Sequence, residues 1–152
     1  MKKIILIALV VIANNVMAQK QKLIQKINVG AFASTVAITN FSNSSKPFSL
    51  GYNLCPIVTA ITKKTAHSIF YGTADNSINT LNAYFLPKNW DTYVVYSRNL
   101  NSKGNYLAFG VEKMEKVGNL KFFEFAELGT GFHGAPILSF GLLLNVSWAL
   151  KK

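Results

Sequence analysis

The sequence predicts an all-β protein, an antiparallel up-and-down barrel of about eight strands that follows a cleaved signal peptide. Three observations predict this fold class. Apolar side chains recur at every second position in many segments, which is the period of a strand. The connectors are short and rich in turn-forming residues, whereas parallel strands would need crossovers of about a dozen residues or more. No segment shows a sustained helical period with caps.

The first residues predict export. Lys2 and Lys3 precede an apolar run over 4–13, and the small residue Ala18 closes the segment. This pattern is typical of a secretory signal peptide cleaved after Ala18. A run of about ten apolar residues is too short for the roughly 20 that a spanning helix needs. We therefore expect a signal peptide over 1–18, a short polar lead over 19–26 and one barrel domain over 27–152.

Eight β segments follow, each bounded by turn chemistry. The connectors in order are FSNSSKP, KKTA, ADNS, PKNWD, NSKGN, MEKVG and LGTGFHGAP. The predicted segments are approximately 27–40, 48–62, 67–73, 79–86, 92–99, 105–113, 120–128 and 137–150. Pro56 lies inside the second segment and cannot donate to a ladder, so we expect a bulge, a bend or a break there. Closing the eight strands into a barrel would remove their exposed edges.

The alternation within segments predicts which face of the wall is apolar. One face of the fourth, fifth and sixth segments carries most of the bulky apolar residues, and the other face is mostly small or polar. The predicted outer residues there are Leu81, Ala83, Phe85, Tyr93, Val95, Leu107, Phe109 and Val111. The last segment repeats the pattern, with Leu142, Leu144, Val146, Trp148 and Leu150 on one face.

A hairpin through MEKVG that pairs position 110 with 124 extends this pattern to the seventh segment. It places Phe123 and Phe125 outside and Glu124 inside, beside Glu112. The lumen would then hold a polar network of Arg98, Glu112 and Glu124, joined as ion pairs. A charged interior with glycines and hydroxyls is typical of a small membrane barrel.

The distribution of charge and of aromatic residues favours lipid outside the wall. Charged residues make up 14% of the chain and mostly fall at turns, whereas a soluble barrel carries its charge on the outer face. Aromatic residues near segment ends match interfacial girdles, at Phe41, Phe48, Trp90, Tyr93 and Trp148. We therefore expect lipid contact at Leu107, Phe109, Val111, Leu142, Leu144, Val146 and Trp148.

The signal peptide, segments near the roughly 9–11 residues of a tilted spanning strand, and the final strand LLLNVSWAL resemble the small outer-membrane β-barrels of the OmpA and OmpX type. The resemblance is one of pattern and covers nearly all of the mature chain. It implies a transmembrane barrel in the outer membrane of a Gram-negative-type envelope. In that family the last strand usually ends on an aromatic residue, whereas this chain continues past Trp148 with four more residues.

The net charge of +10 is a basic excess. Nucleic acid is one conventional partner for such a charge, but export and the scatter of the lysines over turns and ends argue against it. The lysines suit anionic lipid headgroups or simple solvation. Cys55 is the only cysteine, so no disulfide forms within the chain. Cys55 has no neighbouring histidine or cluster of positive charge that would make it a reactive thiol.

No motif for catalysis, for a cofactor or for a metal emerges. His67 and His133 are the only histidines, and their connectors fall at opposite ends of an up-and-down barrel. The Gly-rich stretch around His133 lacks the Lys and the helix of a phosphate-binding loop. A pairing of Glu112 with Glu124 for acid–base work is less favoured than ion pairs with Arg98 or a lysine. Because an eight-stranded barrel is just wide enough to be filled by its own side chains, we expect no pore.

The leading functional hypothesis is therefore a non-catalytic outer-membrane barrel with a structural, adhesive or envelope-associated role. Its expected partners are outer-membrane lipid and an unidentified surface protein or glycan at the outer connectors. The alternative is a secreted or periplasmic lipocalin-like barrel that binds a small apolar ligand, with its cavity lined by Leu107, Phe109, Val111, Phe123 and Phe125. A third hypothesis is a lipid enzyme, for which a Ser or His facing lipid near one rim would be the evidence.

Overall fold

The computed structural model describes residues 24–40, 48–118, 120–130 and 136–150. The predicted signal peptide, most of the polar lead, the connector FSNSSKP and His133 lie outside the described residues. Within the described ranges, eight antiparallel strands close into one barrel in chain order. They are β1 (Lys26–Asn40), β2 (Phe48–Ile61), β3 (Thr65–Gly72), β4 (Ser77–Phe85), β5 (Trp90–Asn99), β6 (Asn105–Val117), β7 (Leu120–Thr130) and β8 (Pro136–Ala149). The predicted fold class is confirmed.

The two ends of the barrel are distinguished by their connectors. The lower end holds the start of β1 and the β2–β3, β4–β5 and β6–β7 connectors. The β4–β5 connector contains a 3₁₀ turn at Pro87–Asn89. The β3–β4 and β5–β6 connectors lie at the upper end. Among the described residues, no helix is long and apolar enough to cross a membrane.

The register around the wall determines the width of the barrel. A path of paired residues from Asn28 crosses the eight strands and returns to β1 at Asn40, twelve residues farther along. With a rise of about 3.3 Å per residue and about 4.8 Å between strands, this stagger tilts the strands by about 45° and gives a diameter near 17 Å between backbones. The wide stagger leaves room inside the wall.

Pro56 neither bulges nor breaks its strand, contrary to expectation. It pairs with Ala31 of β1 in an uninterrupted register. The ladder between β2 and β3 ends at Ile57, which pairs with Phe70. Because β3 does not pair with β2 beyond that point, the missing N–H of Pro56 removes no bond to β3. The side chain of Thr73 and the backbone of Ala74 instead bond the upper part of β2 at Leu54 and Asn53.

The turn between β6 and β7 lies farther along the chain than predicted. β6 continues to Val117, and Gly118 turns the chain with a φ of 59°, a left-handed conformation that favours glycine. Gly110 therefore pairs with Glu127 and not with Glu124. A shift of three residues exchanges the two faces of β7, because side chains alternate with a period of two.

The predicted faces of three strands are reversed in the structure. In β4 and β5, Ala83, Tyr93 and Val95 are buried inside the barrel, and Leu81 and Phe85 line its cavity. In β7 the inner residues are Lys121, Phe123, Phe125 and Glu127. The outer faces of these strands carry Thr80, Asn82, Thr92, Arg98 and Glu124. The predicted outer position is wrong for Leu81, Ala83, Phe85, Tyr93, Val95, Phe123 and Phe125.

Candidate binding site in the barrel interior

The barrel interior contains a cavity of about 780 Å³. The expectation of a lumen filled by its own side chains is therefore wrong. Two properties of the wall explain the space. The stagger of the strands widens the barrel, and inward positions of several strands hold small residues such as Ser68, Ala83 and Ala108. A cavity of this size falls within the roughly 300–1,000 Å³ of small-molecule sites.

One side of the cavity is apolar. A buried cluster on β4, β5 and β6 consists of Ala83, Tyr93, Val95 and Ala108, with Phe70 and Phe125 packed against it. Phe70 also contacts Phe32 of β1 edge to face, with ring centroids 5.0 Å apart. Such edge-to-face pairs stabilise a core beyond the apolar area that they bury. This wall forms the core of the barrel and gives the cavity an aromatic surface.

A tyrosine pair holds a carboxylate in the upper half of the cavity. The hydroxyl of Tyr93 donates to Oε2 of Glu127 over 3.1 Å, and the hydroxyl of Tyr106 donates to Oε1 of the same carboxylate. The three residues come from the neighbouring strands β5, β6 and β7. Both oxygens of Glu127 are thereby bonded, which offsets the cost of removing a carboxylate from water.

Gly110 allows this arrangement. A Cβ atom at position 110 would overlap Cζ of Tyr93 and lie 2.5 Å from its hydroxyl oxygen. The Tyr93 ring therefore lies against the bare backbone of the neighbouring strand. Glycine at 110 is required by this close approach and not by a turn.

Glu112 alone of the predicted polar network faces the lumen. It lines the cavity, whereas Arg98 and Glu124 are exposed on the outer face. Arg98 donates to Oδ1 of Asn105 over 3.0 Å, and Glu124 lies opposite Lys113 on β6. The predicted network of Arg98, Glu112 and Glu124 does not form, because Arg98 and Glu124 lie on the outer faces of β5 and β7 while Glu112 lies inside.

The lower half of the cavity is rich in hydrogen-bond acceptors. Asp91 and Glu112 are direct cross-strand partners on β5 and β6, and both line the cavity. Asn28 is 6% exposed, and its Oδ1 has no hydrogen-bond donor among the described residues. Oδ1 of Asn145 on β8 is also buried without a hydrogen-bond donor among the described residues. Among the described residues, Lys121 is the only basic one at an inward strand position that lines the cavity.

The sequence did not single out Glu127, Tyr106 or Asn28. The signal for Tyr106 and Glu127 was present in the alternation of β6, where Tyr106, Ala108, Gly110 and Glu112 share one face. Extending that face across the true hairpin brings in Glu127. A buried Asn without a partner has no signature in a single sequence.

Several polar side chains in the upper half of the cavity and at the described part of the upper rim bond to one another. Asn79 donates to Oγ of Ser77 over 2.9 Å and accepts from Ser97. At the rim, Asn76 of the β3–β4 connector donates to Oδ1 of Asn101 in the β5–β6 connector over 2.6 Å. These bonds tie neighbouring connectors together. Cys55 is fully buried in the same wall.

His67 lies on the outer face near the lower rim. Its Nε2 lies 3.0 Å from Oγ1 of Thr65, and its Nδ1 lies 2.8 Å from Oδ1 of Asn82. The arrangement is hydroxyl, imidazole and amide in sequence, which is the order of a nucleophile, a base and an orienting group. It also satisfies three polar side chains at a strand end. No group of three or more His, Cys, Asp or Glu residues suited to a metal exists within the described ranges.

The outer face is apolar over most of β6, β8, β1 and β2. Of the predicted lipid-facing residues, Leu107, Phe109, Val111, Leu142, Val146 and Trp148 are exposed there, and Leu144 is half-buried on the same face. Of the predicted aromatic girdle, Phe48, Trp90 and Trp148 are exposed near strand ends. Tyr93 instead lies inside the barrel, and Phe41 lies outside the described residues.

Comparison with protein-family models, with curated proteins and with solved structures finds no match to this chain. The class of protein that the fold defines is an eight-stranded antiparallel β-barrel with an internal cavity.

Proposed function

We propose that this chain is a small integral outer-membrane β-barrel protein with a structural, adhesive or envelope-associated role, related in architecture to barrels of the OmpA and OmpX type. The observation that carries the proposal is the apolar outer face. Phe109 is 64% exposed, Leu142 57% and Leu50 65%. Large apolar side chains with this exposure on β6, β8 and β2 exceed what a water-soluble monomer tolerates.

The outer charges support the same proposal. Arg98 lies one residue from the upper end of β5, and Lys113 and Glu115 lie in the last part of β6 near the lower end. Nζ of Lys113 lies 2.6 Å from Oε1 of Glu115 in the only ion pair among the described residues. Glu124 lies beside Lys113. The outer face of β8, and that of β6 from Leu107 to Val111, is left to apolar side chains, as a lipid-facing band requires.

Strand length fits a bilayer. The strands contain between 8 and 15 residues, and a spanning strand tilted by about 45° needs roughly 9–11. The tilt that follows from the register is close to that angle. The wall of the barrel is shortest at β3 and β4 and tallest at β8, β1 and β2.

A secreted lipocalin-like barrel remains the competing proposal, and the cavity favours it. Phe123 and Phe125 line the cavity as that hypothesis predicts. Leu107, Phe109 and Val111 were predicted to line it as well, but they are exposed on the outer face. A soluble barrel with this surface would expose a broad apolar patch to water. The outer-membrane proposal therefore explains more features of the molecule than the secreted-barrel proposal does.

Cell fractionation separates the two proposals. The expressed protein is extracted from isolated outer membranes with and without detergent, and heated and unheated samples are compared by electrophoresis. We expect detergent-dependent extraction and a mobility that changes on heating. Recovery in the periplasm or medium without detergent would contradict the membrane proposal and favour the secreted barrel.

A lipid ester hydrolase is a second candidate, favoured by the relay of Thr65, His67 and Asn82. In that reaction the Thr65 hydroxyl attacks an ester carbonyl and passes its proton to Nε2 of His67. The proton then leaves with the alcohol, and water hydrolyses the acyl-threonine to regenerate the hydroxyl. Hydrolysis of phospholipid that is lost in His67→Ala would support this candidate. Equal hydrolysis by His67→Ala and the parent, or none by either, would refute it.

A further inference from the structure

Two carboxylates face the interior of the barrel side by side. Asp91 and Glu112 occupy directly opposite positions on β5 and β6, on the inner face. Like charges in directly opposed positions destabilise an antiparallel pair. Among the described residues, neither forms an ion pair with a basic side chain. A positive charge between the two side chains would remove this repulsion.

A second, independent feature lies at the same end of the cavity. Asn28 lines the cavity and is 6% exposed, yet its Oδ1 accepts no hydrogen bond from the described residues. An amide oxygen buried without a donor destabilises the fold, because it has lost its hydrogen bonds to water. Oδ1 of Asn145, on the neighbouring strand β8 and opposite Lys121 of β7, also has no hydrogen-bond donor among the described residues. Acceptors without donors complement a ligand that is rich in N–H groups.

The charged groups that face the cavity are predominantly acidic. The carboxylates of Asp75, Asp91, Glu112 and Glu127 line it, against the ammonium groups of Lys88 and Lys121. Glu127 is already bonded by two tyrosines, and Asp75 lies at the upper end. Asp91 and Glu112 are thus the carboxylates available in the lower half.

The rest of the cavity wall suits an apolar body. Five phenylalanines line it, from β1, β3, β4 and β7, namely Phe32, Phe70, Phe85, Phe123 and Phe125. Aromatic faces attract organic cations and also remove apolar surface from water. A hydrated metal ion would use the carboxylates but not this wall.

We infer that the lower half of the barrel cavity binds a small organic amine, with its ammonium group between Asp91 and Glu112 and its apolar body against the phenylalanine wall. A further N–H group on such a ligand would donate to Oδ1 of Asn28. The site does not depend on whether lipid or water surrounds the barrel, so it stands apart from the proposal of membrane location.

Three ligands of matched shape test the inference. They are 1-naphthylmethylamine, 1-naphthylmethanol and 1-naphthylacetate, which differ in charge and share the ring system. Each is titrated into the full-length mature protein in phosphatidylcholine vesicles, with empty vesicles as the blank, and naphthalene fluorescence reports binding. We expect saturable binding of the amine, and affinities for the alcohol and the carboxylate that are weaker by about tenfold or more.

The matched variants are Glu112→Gln and Glu124→Gln, which remove the same charge from the inner and the outer face of the wall. Glu112→Gln should weaken amine binding by about tenfold or more, and Glu124→Gln should leave it within about twofold. Far-UV circular dichroism verifies that each variant is folded. If Glu112→Gln does not fold, Asp91→Asn makes the same test.

Three results would overturn the inference. Equal binding of the three ligands would reduce the site to an apolar cavity, and absence of amine binding would remove the site. Displacement of the probe by Ca²⁺ at millimolar concentration, with no displacement by excess benzylamine, would assign the carboxylates to a metal.

Discussion

Gly110→Ala tests the contact at the centre of the cavity wall. The added methyl overlaps Cζ of Tyr93, so the ring must move. Overpacking of this kind costs about 1–3 kcal/mol. Moving the ring also breaks the 3.1 Å hydrogen bond from Tyr93 to Glu127, and a hydrogen bond to a charged group contributes about 1.5–3 kcal/mol. We expect the free energy of unfolding to fall by about 3–5 kcal/mol, because the two effects add in part.

The assay is urea unfolding of protein folded into detergent micelles, followed by far-UV circular dichroism. Gly51→Ala is the matched control. Gly51 also faces inward from a strand, but a Cβ there would meet only the carbonyl oxygen of Val36 at 3.9 Å. Alanine at that position should be neutral or stabilise by up to about 1 kcal/mol, since it reduces the entropy of the unfolded chain. Equal effects of the two variants would refute the close approach of Tyr93 to Gly110.

Three further predictions concern the interior and the outer face. Tyr93→Phe and Tyr106→Phe should each lower the free energy of unfolding by about 1.5–3 kcal/mol. The double variant should lower it by more than the sum of the two, because Glu127 then lacks both donors. Strict additivity in urea titrations would contradict the sharing of one carboxylate by the two tyrosines. Cys55, fully buried, should react with a maleimide only in urea, and labelling of the folded barrel, followed by mass spectrometry, would show that the wall opens there. Phe109→Arg should cost about 2–4 kcal/mol in lipid, against less than about 1.5 kcal/mol for Phe109→Leu, and similar unfolding curves for both would argue against a lipid contact.

The sequence predicted the number, order and approximate limits of the strands because their turn chemistry is strong. It also placed the faces of β6 and β8 as the structure has them. In those strands one face is bulky and the other small, as with Phe109 and Val111 against Ala108 and Gly110. Alternation is decisive where the two faces differ in volume as well as in polarity.

The faces of β4 and β5 were not predictable on the same rule. Tyr93 and Val95 point inward while Val94 and Tyr96 point outward, so both faces of β5 hold aromatic and branched residues. A strand with apolar residues both on its outer face and on its cavity face shows no consistent polarity difference between the two faces. Only the closed register decides between the faces.

The error in β7 had a different origin. The turn was placed at MEKVG, but Met114 and Lys116 continue the ladder of β6 with Phe123 and Lys121 as partners. An odd shift in register exchanges every side chain between the two faces. With the predicted pairing of 110 with 124, Phe125 and Glu127 fall on the outer face, so the sequence does not predict that they share the interior with Glu112.

We propose that the outer face of the wall contacts lipid. The most direct measurement uses single-tryptophan proteins with Trp90 and Trp148 replaced by phenylalanine, carrying either Phe109→Trp on the outer face or Phe125→Trp on the inner face. Each is folded into vesicles that contain lipids brominated along the acyl chain, which quench tryptophan on contact. We predict strong quenching at position 109 and little at 125, and failure to insert or equal quenching at both positions would contradict the account.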